Sequence, residues 1–177
     1  NEVIDKLGLN EVVLAGFSLG GLIILKTLIH NGSKVKEAFL AAPAYIVNGN
    51  PLKALFKMFI PMKRYMRNKN PKLVEQVVDE LFTDKDEFAI KYLSQVFLHF
   101  EMDFTPVPVM TKAEAAKIKT PITLFAAKKD LMFPGEKMLK RASKLLPTLK
   151  KTVLLENSKH VQNRADNALI EDLILKK

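Results

Sequence analysis

The chain has 177 residues, 48% of them hydrophobic and 27% charged, a globular composition long enough to bury roughly 70% of its unfolded surface without a disulfide or metal. Cys is absent, which excludes disulfide frameworks, thiolate metal sites and cysteine nucleophiles and fits a reducing, cytoplasmic setting. The net charge of +9 raises nucleic acid as a partner, but the lysines are spread along the chain, Trp is absent and no helix-turn-helix, zinc or aromatic RNA-binding signature occurs, so no nucleic-acid partner is expected and the excess reads as a solvated basic surface.

In chain order, the apolar run Val12 to Ala15 predicts a buried strand, and "GLIILKTLIHNG" predicts a helix that begins at Leu19 and ends at Asn31-Gly32. The run from Val12 to Leu25 is too short for a membrane span and is interrupted by three glycines and a serine. Further strands are predicted at Ala38 to Ala41, Ile122 to Ala126 and Thr152 to Leu155, with helices over Pro134 to Leu146 and Arg164 to Leu175. Each strand is a continuous apolar run rather than an alternating one, the pattern of a strand covered on both faces in a parallel sheet. The alternation of strand and helix argues for an α/β fold with a doubly wound, mostly parallel sheet of four strands.

Residues 46–117 separate the second and third strands and are too many for a loop, so the chain divides into a sheet domain, 1–45 with 118–177, and a helical cap or lid. Within the cap, Leu52, Leu55, Phe56 and Phe59 share one helical face, which Pro61 should break. Asn70 before Pro71 starts a second helix, with Leu73, Val74, Val77, Val78 and Leu81 on its apolar face. Thr83 with Asp86 three residues on starts a third, carrying Phe88, Tyr92, Leu93, Val96, Phe97 and Phe100. The stretch 51–72 holds seven cationic side chains and no acid.

Gly16, Ser18 and Gly20 match G-x-S-x-G, a motif that gains meaning only between a strand and a helix, which is its setting here. The turn demands small residues around the serine, and Gly16, Gly20 and Gly21 supply them. Ser18 would then project from the sheet end, with the backbone N–H of Leu19, at a helix N-terminus, aimed at a developing oxyanion. A serine hydroxyl needs a base, and the chain has three histidines. His30 at a helix end suits the dipole, and His99 beside Phe97 and Phe100 suits packing. His160 follows the last strand in the polar loop "ENSKH", and Asp130 follows the third strand in "AAKKDLMFP". Ser18, Asp130 and His160 thus stand at the ends of three predicted strands, in the chain order of a strand, elbow and helix hydrolase.

"LGLNEVVLAGFSLGG", "AFLAAPA", "IKTPITLFAAKKDLMFP" and "TVLLENSKH" resemble, in that order, the nucleophile strand and elbow, the strand before the lid, the acid strand and the histidine loop of the α/β-hydrolases of the lid-bearing esterase and lipase type. The resemblance implies Ser18 as nucleophile, His160 as general base and acid, Asp130 as its orienter and Leu19 N–H as one oxyanion donor, with no metal or cofactor. Ser at the elbow differs from relatives that use Asp there, and Phe17 stands where many members have His. Members have several strands and a helix before the elbow, whereas only "NEVIDKLG" precedes the first strand here, so the chain is expected to be the C-terminal part of the fold, without its N-terminal half.

The expected activity is hydrolysis of an acyl or aryl carboxylic ester through an acyl-enzyme. Phe17, Leu55, Phe56, Phe59 and Met62 would line the substrate site, although the cap residues could equally pack the cap onto the sheet. The basic stretch 51–72 opens a variant, a lid resting on an anionic membrane and acting on lysophospholipids or monoacylglycerols. A third expectation, from another class, is a catalytically silent binding module with a hydrolase-like fold.

Overall fold

A computed structural model describes residues 1–177 apart from Met102, Phe104 and Lys177. After a short helix α1 (Glu2–Lys6), the strands β1 (Val12–Phe17), β2 (Val35–Ala41), β3 (Ile122–Ala127) and β4 (Leu149–Leu155) form one sheet in the order β1-β2-β3-β4. All three pairings are parallel. Parallel neighbours need crossovers. Helix α2 (Leu19–Asn31) makes the first, and α8 (Gly135–Leu145) makes the last.

Alternate residues of the central strands feed two separate cores. Ala38 and Leu40 of β2 and Ile122, Leu124 and Ala126 of β3 pack with Ile24, Leu25 and Leu28 of α2 and Met138 and Ala142 of α8. Phe39, Ala41, Phe125 and Leu155 point the other way, against Ile170, Leu173 and Ile174 of α9 (Arg164–Leu175). Coverage on both faces therefore holds for β2 and β3. It fails for β1, where Val12 and Leu14 are half-buried while Val13, Ala15 and Phe17 are exposed. No described strand lies along the outer edge of β1, and α9 stands beyond a groove of ≈ 360 Å³ lined in part by Ala15, Phe17, Phe39, Phe125 and Ile170.

The segment between β2 and β3 contains α3 (Pro51–Ala54), a π-turn (Leu55–Phe59), α4 (Ile60–Asn68), α5 (Pro71–Leu81), α6 (Glu87–His99) and α7 (Lys112–Ala115). Pro61 does not break the first helix as expected. Its missing N–H removes the bond to the Lys57 carbonyl, the backbone widens into the π-turn, and the helical course continues from Pro51 to Asn68. Met58, Met62 and Tyr65 then form a core with Val74, Val77, Val78, Ala89 and Phe97. This helical core is narrower than 46–117, because Ile46, Val47, Met110 and Ala115 pack in the sheet core. Asn70 caps α5 as read, accepting from Lys72 N at 3.1 Å. Thr83 does not cap α6; Asp86 does, accepting from Ala89 N at 2.8 Å.

The two roots of this segment are strapped together. Met110 N donates to Tyr45 O at 2.7 Å and Asn48 Nδ2 to Val107 O at 2.8 Å. The buried Tyr45 hydroxyl donates to Glu114 Oε1 at 2.5 Å, and Lys26 of α2 pairs with the same oxygen at 3.0 Å. The Thr111 N–H, followed by the Tyr45 and Lys26 donors, holds the Glu114 carboxyl at about 2. Helix α2, whose N-cap is Ser18, is thereby anchored to both roots. Among the described residues no helix is long and apolar enough to cross a membrane.

Candidate active site

Ser18 is the N-cap of α2 with φ 51° and ψ −115°, a left-handed backbone that a residue other than glycine adopts only when its surroundings enforce it. The surroundings are backbone bonds. Ser18 N donates to Ala41 O at 3.0 Å, carrying the β1–β2 ladder into the turn. Its carbonyl accepts from Gly21 N and Ala44 N, both at 3.0 Å. Close approach explains two of the three glycines. A Cβ on Gly16 would lie 2.8 Å from the carbonyl carbon of Gly20, and one on Gly21 would lie 2.4 Å from Pro43 Cβ. Gly20 differs from expectation, since a Cβ there would meet nothing within 4 Å.

Asp130 sits in the turn after β3 and is 4% exposed, so it is no solvated turn aspartate. Its Oδ1 accepts from Met132 N at 2.7 Å and Phe133 N at 2.9 Å, an Asx-turn that turns Oδ2 elsewhere. Lys128 and Lys129, its sequence neighbours, go to Glu156 at 2.7 Å and Asn157 at 3.3 Å. Oδ2 is left to His160 Nδ1 at 2.8 Å, and His160 Nε2 lies 3.0 Å from Ser18 Oγ. The buried imidazole thus bridges a carboxylate and a hydroxyl. A carboxylate on Nδ1 keeps the proton there and leaves Nε2 as the acceptor facing Oγ.

Two aromatic rings hold the imidazole plane. Phe17 lies 4.9 Å from it by ring centroids and Phe133 meets it edge-on at 5.4 Å. The only local signal for Phe133 in the sequence is the Asx-turn that carries it. The loop itself is tied to both sides. Lys129 N donates to Ser158 O at 2.9 Å, Ser158 Oγ bonds the Asp166 carboxylate of α9, and Gln162 Nε2 donates to His160 O at 2.7 Å. From the helical segment, Val161 N donates to Leu81 O at 2.8 Å and Thr83 N to Val161 O at 3.0 Å.

The other expected site residues differ in burial. Met62 is 4% exposed inside the helical core, and Phe59 packs partly against that core. Leu55 and Phe56 are exposed to solvent. Phe17, also named for the substrate site, contacts the imidazole. His30 is exposed near the end of α2, and His99, expected to pack, is exposed at the end of α6. Leu19 opens α2, where first-turn N–H groups have no intrahelical acceptor.

Comparison with protein families matches residues 2–162 to the family described as serine aminopeptidase, S33. The chain belongs to this α/β-hydrolase family. Solved structures of the same fold include the naproxen esterase (carboxylesterase NP) of Bacillus subtilis, 20% identical with a TM-score of 0.75, which covers 98% of this chain and 62% of its own. The carboxylesterase CesB of Bacillus subtilis is 19% identical, with a TM-score of 0.72, covering 99% of this chain and 64% of its own. A bromoperoxidase from Bacillus anthracis is 18% identical, with a TM-score of 0.68, covering 99% and 69%. The chain therefore spans less than two-thirds of the length of either esterase. No curated protein gives a significant match.

Proposed function

We propose that the protein hydrolyses a carboxylic ester through an acyl-enzyme on Ser18. The observation that carries this reading is the buried imidazole of His160 at hydrogen-bond distance from both Asp130 and Ser18. His160 Nε2 takes the hydroxyl proton as Ser18 Oγ bonds to the ester carbonyl carbon, and the carbonyl oxygen becomes an oxyanion facing Leu19 N–H. Collapse breaks the bond to the alkoxy oxygen, which leaves with the proton from His160. Water, deprotonated by the same nitrogen, then releases the acid and restores Ser18. Structures of the same fold named esterases support an ester, and a bromoperoxidase shares that fold with them.

Intact-mass detection of fluorophosphonate labelling tests this directly. One adduct is expected on the chain and none on Ser18→Ala or His160→Ala. A folded chain that takes no adduct would overturn the reading in favour of a binding module, with the exposed apolar face of β1 as the natural contact.

A second reading adds a surface to the first. The helical course from Pro51 to Asn68 leaves Leu52, Leu55 and Phe56 exposed in its first half and Arg64 and Arg67 exposed in its second. Leu52, Phe56, Arg64 and Arg67 recur at helical spacing, so apolar and cationic side chains share one outward side. This arrangement suits an anionic bilayer, where each interfacial Lys or Arg contributes about 1 kcal/mol. Sedimentation with phosphatidylcholine vesicles, with and without phosphatidylglycerol, is expected to show binding only to the anionic ones and loss of binding at high salt. Equal binding to both vesicle types would remove the reading.

A further inference from the structure

Thr83 stands between α5 and α6, more than seventy residues from the histidine loop in sequence, yet its hydroxyl bonds on both sides of His160. It donates to Val161 O at 2.7 Å and accepts from Lys159 N at 3.0 Å. The hydroxyl proton and one lone pair are thereby spent on the two residues that flank the imidazole-bearing one. The surrounding backbone reinforces the join. Phe82 and Val161 form a parallel bridge, Val161 N reaches Leu81 O at 2.8 Å, and Lys159 Nζ reaches Asp79 O. On the sheet side, Ser158 is held by Asp166 and by Lys129 N. His160 is therefore the middle residue of a loop whose near end belongs to the sheet and whose far end belongs to the helical segment.

We infer that Thr83 is a positioning residue, a clip through which the helical segment sets the place of His160 between Asp130 and Ser18. The inference rests on the hydrolase reading for its kinetic consequence and on the hydrogen bonds alone for its structural one. Without the hydroxyl, Lys159 N–H loses its acceptor and Val161 O keeps only the Thr83 backbone donor, so the loop can drift from the sheet-bound pair. A drift of about 1 Å between base and nucleophile is worth about a hundredfold in rate, while ground-state binding of substrate is left alone. The clip also makes the helical segment part of the catalytic geometry. Movement of α5 relative to the sheet would move the base.

The test compares Thr83→Val with Thr83→Ser in the 177-residue chain. With p-nitrophenyl acetate, Thr83→Val is expected to lower kcat about ten- to a hundredfold with KM nearly unchanged, and Thr83→Ser, which keeps the donor and the acceptor, to restore kcat to within about threefold. Thr83→Ala replaces the valine variant if circular dichroism shows that one to be unfolded. A Thr83→Val chain that turns over at the parent rate overturns the inference, as does a serine variant no better than valine. Proton NMR separates this from failure of the hydrolase reading. The far-downfield resonance of the His160 Nδ1 proton, assigned with His160→Ala, is expected to broaden or vanish in Thr83→Val and to persist in Thr83→Ser. If the parent neither labels nor turns over, the hydrolase reading fails, and an unchanged resonance in Thr83→Val then overturns the clip.

Discussion

Asp130→Asn is expected to lower kcat by about 10⁴ with little change in stability, because the substitution keeps the shape of the turn and reverses a tautomer. In the parent, Asp130 Oδ1 takes the N–H groups of Met132 and Phe133. An asparagine placed there must keep its single oxygen at that position, since backbone N–H groups cannot face an NH2 group. The amide nitrogen then replaces Oδ2 and presents N–H to His160 Nδ1, 2.8 Å away in the parent. Nδ1 is forced to accept, the imidazole proton moves to Nε2, and Nε2 donates toward Ser18 Oγ where it should accept. Steady-state kinetics on an activated ester, with a thermal melt as control, check this. A loss below tenfold would mean that His160 does not act as the base for Ser18.

The second large effect concerns folding of the elbow. Gly16→Ala is expected to destabilise the chain by about 2–3 kcal/mol, roughly 5–10 °C in Tm, and Gly20→Ala to change it by under about 1 kcal/mol. The added methyl at 16 would sit 2.8 Å from the backbone carbon and 2.9 Å from the oxygen of Gly20, and backbone cannot move aside as a flexible side chain can. At 20 the methyl meets open space on the first turn of a helix, where Ala is the better helix former. Thermal melts of the two variants side by side decide it. Equal losses would show that the elbow can relax at position 16 or that Gly20 is enclosed in the functional protein.

The features legible in the sequence are those that neighbouring residues carry. Strand runs at Ala38 to Ala41 and Ile122 to Ala126 were legible because both faces of a central parallel strand are covered, so the runs are apolar throughout apart from the buried Thr123. Asn70 before Pro71 was legible because a cap and its helix are in contact along the chain. Other features depend on distant parts of the chain. Thr83 has the spacing of a capping residue for α6, but Asp86 fills that place and the His160 loop claims the hydroxyl. Pro61 is a helix breaker by its own chemistry, yet a π-turn and the packing of Met58, Met62 and Tyr65 on α5 carry the helix through it.

The sequence by itself determined the order of strands and helices, the strand-to-turn-to-helix setting of Ser18, and the presence of an acid and a histidine after later strands, because each is a local pattern or a matter of chain order. Only the tertiary structure decided which atoms meet. It brought His160 to 3.0 Å from Ser18 Oγ across 142 residues, buried Met62 while leaving Leu55 and Phe56 outside, and set Gly21 instead of Gly20 against Pro43. The physical reason is that hydrophobic periodicity and capping act over a few residues, whereas the partner of a side chain is chosen by packing between elements that the local sequence does not encode.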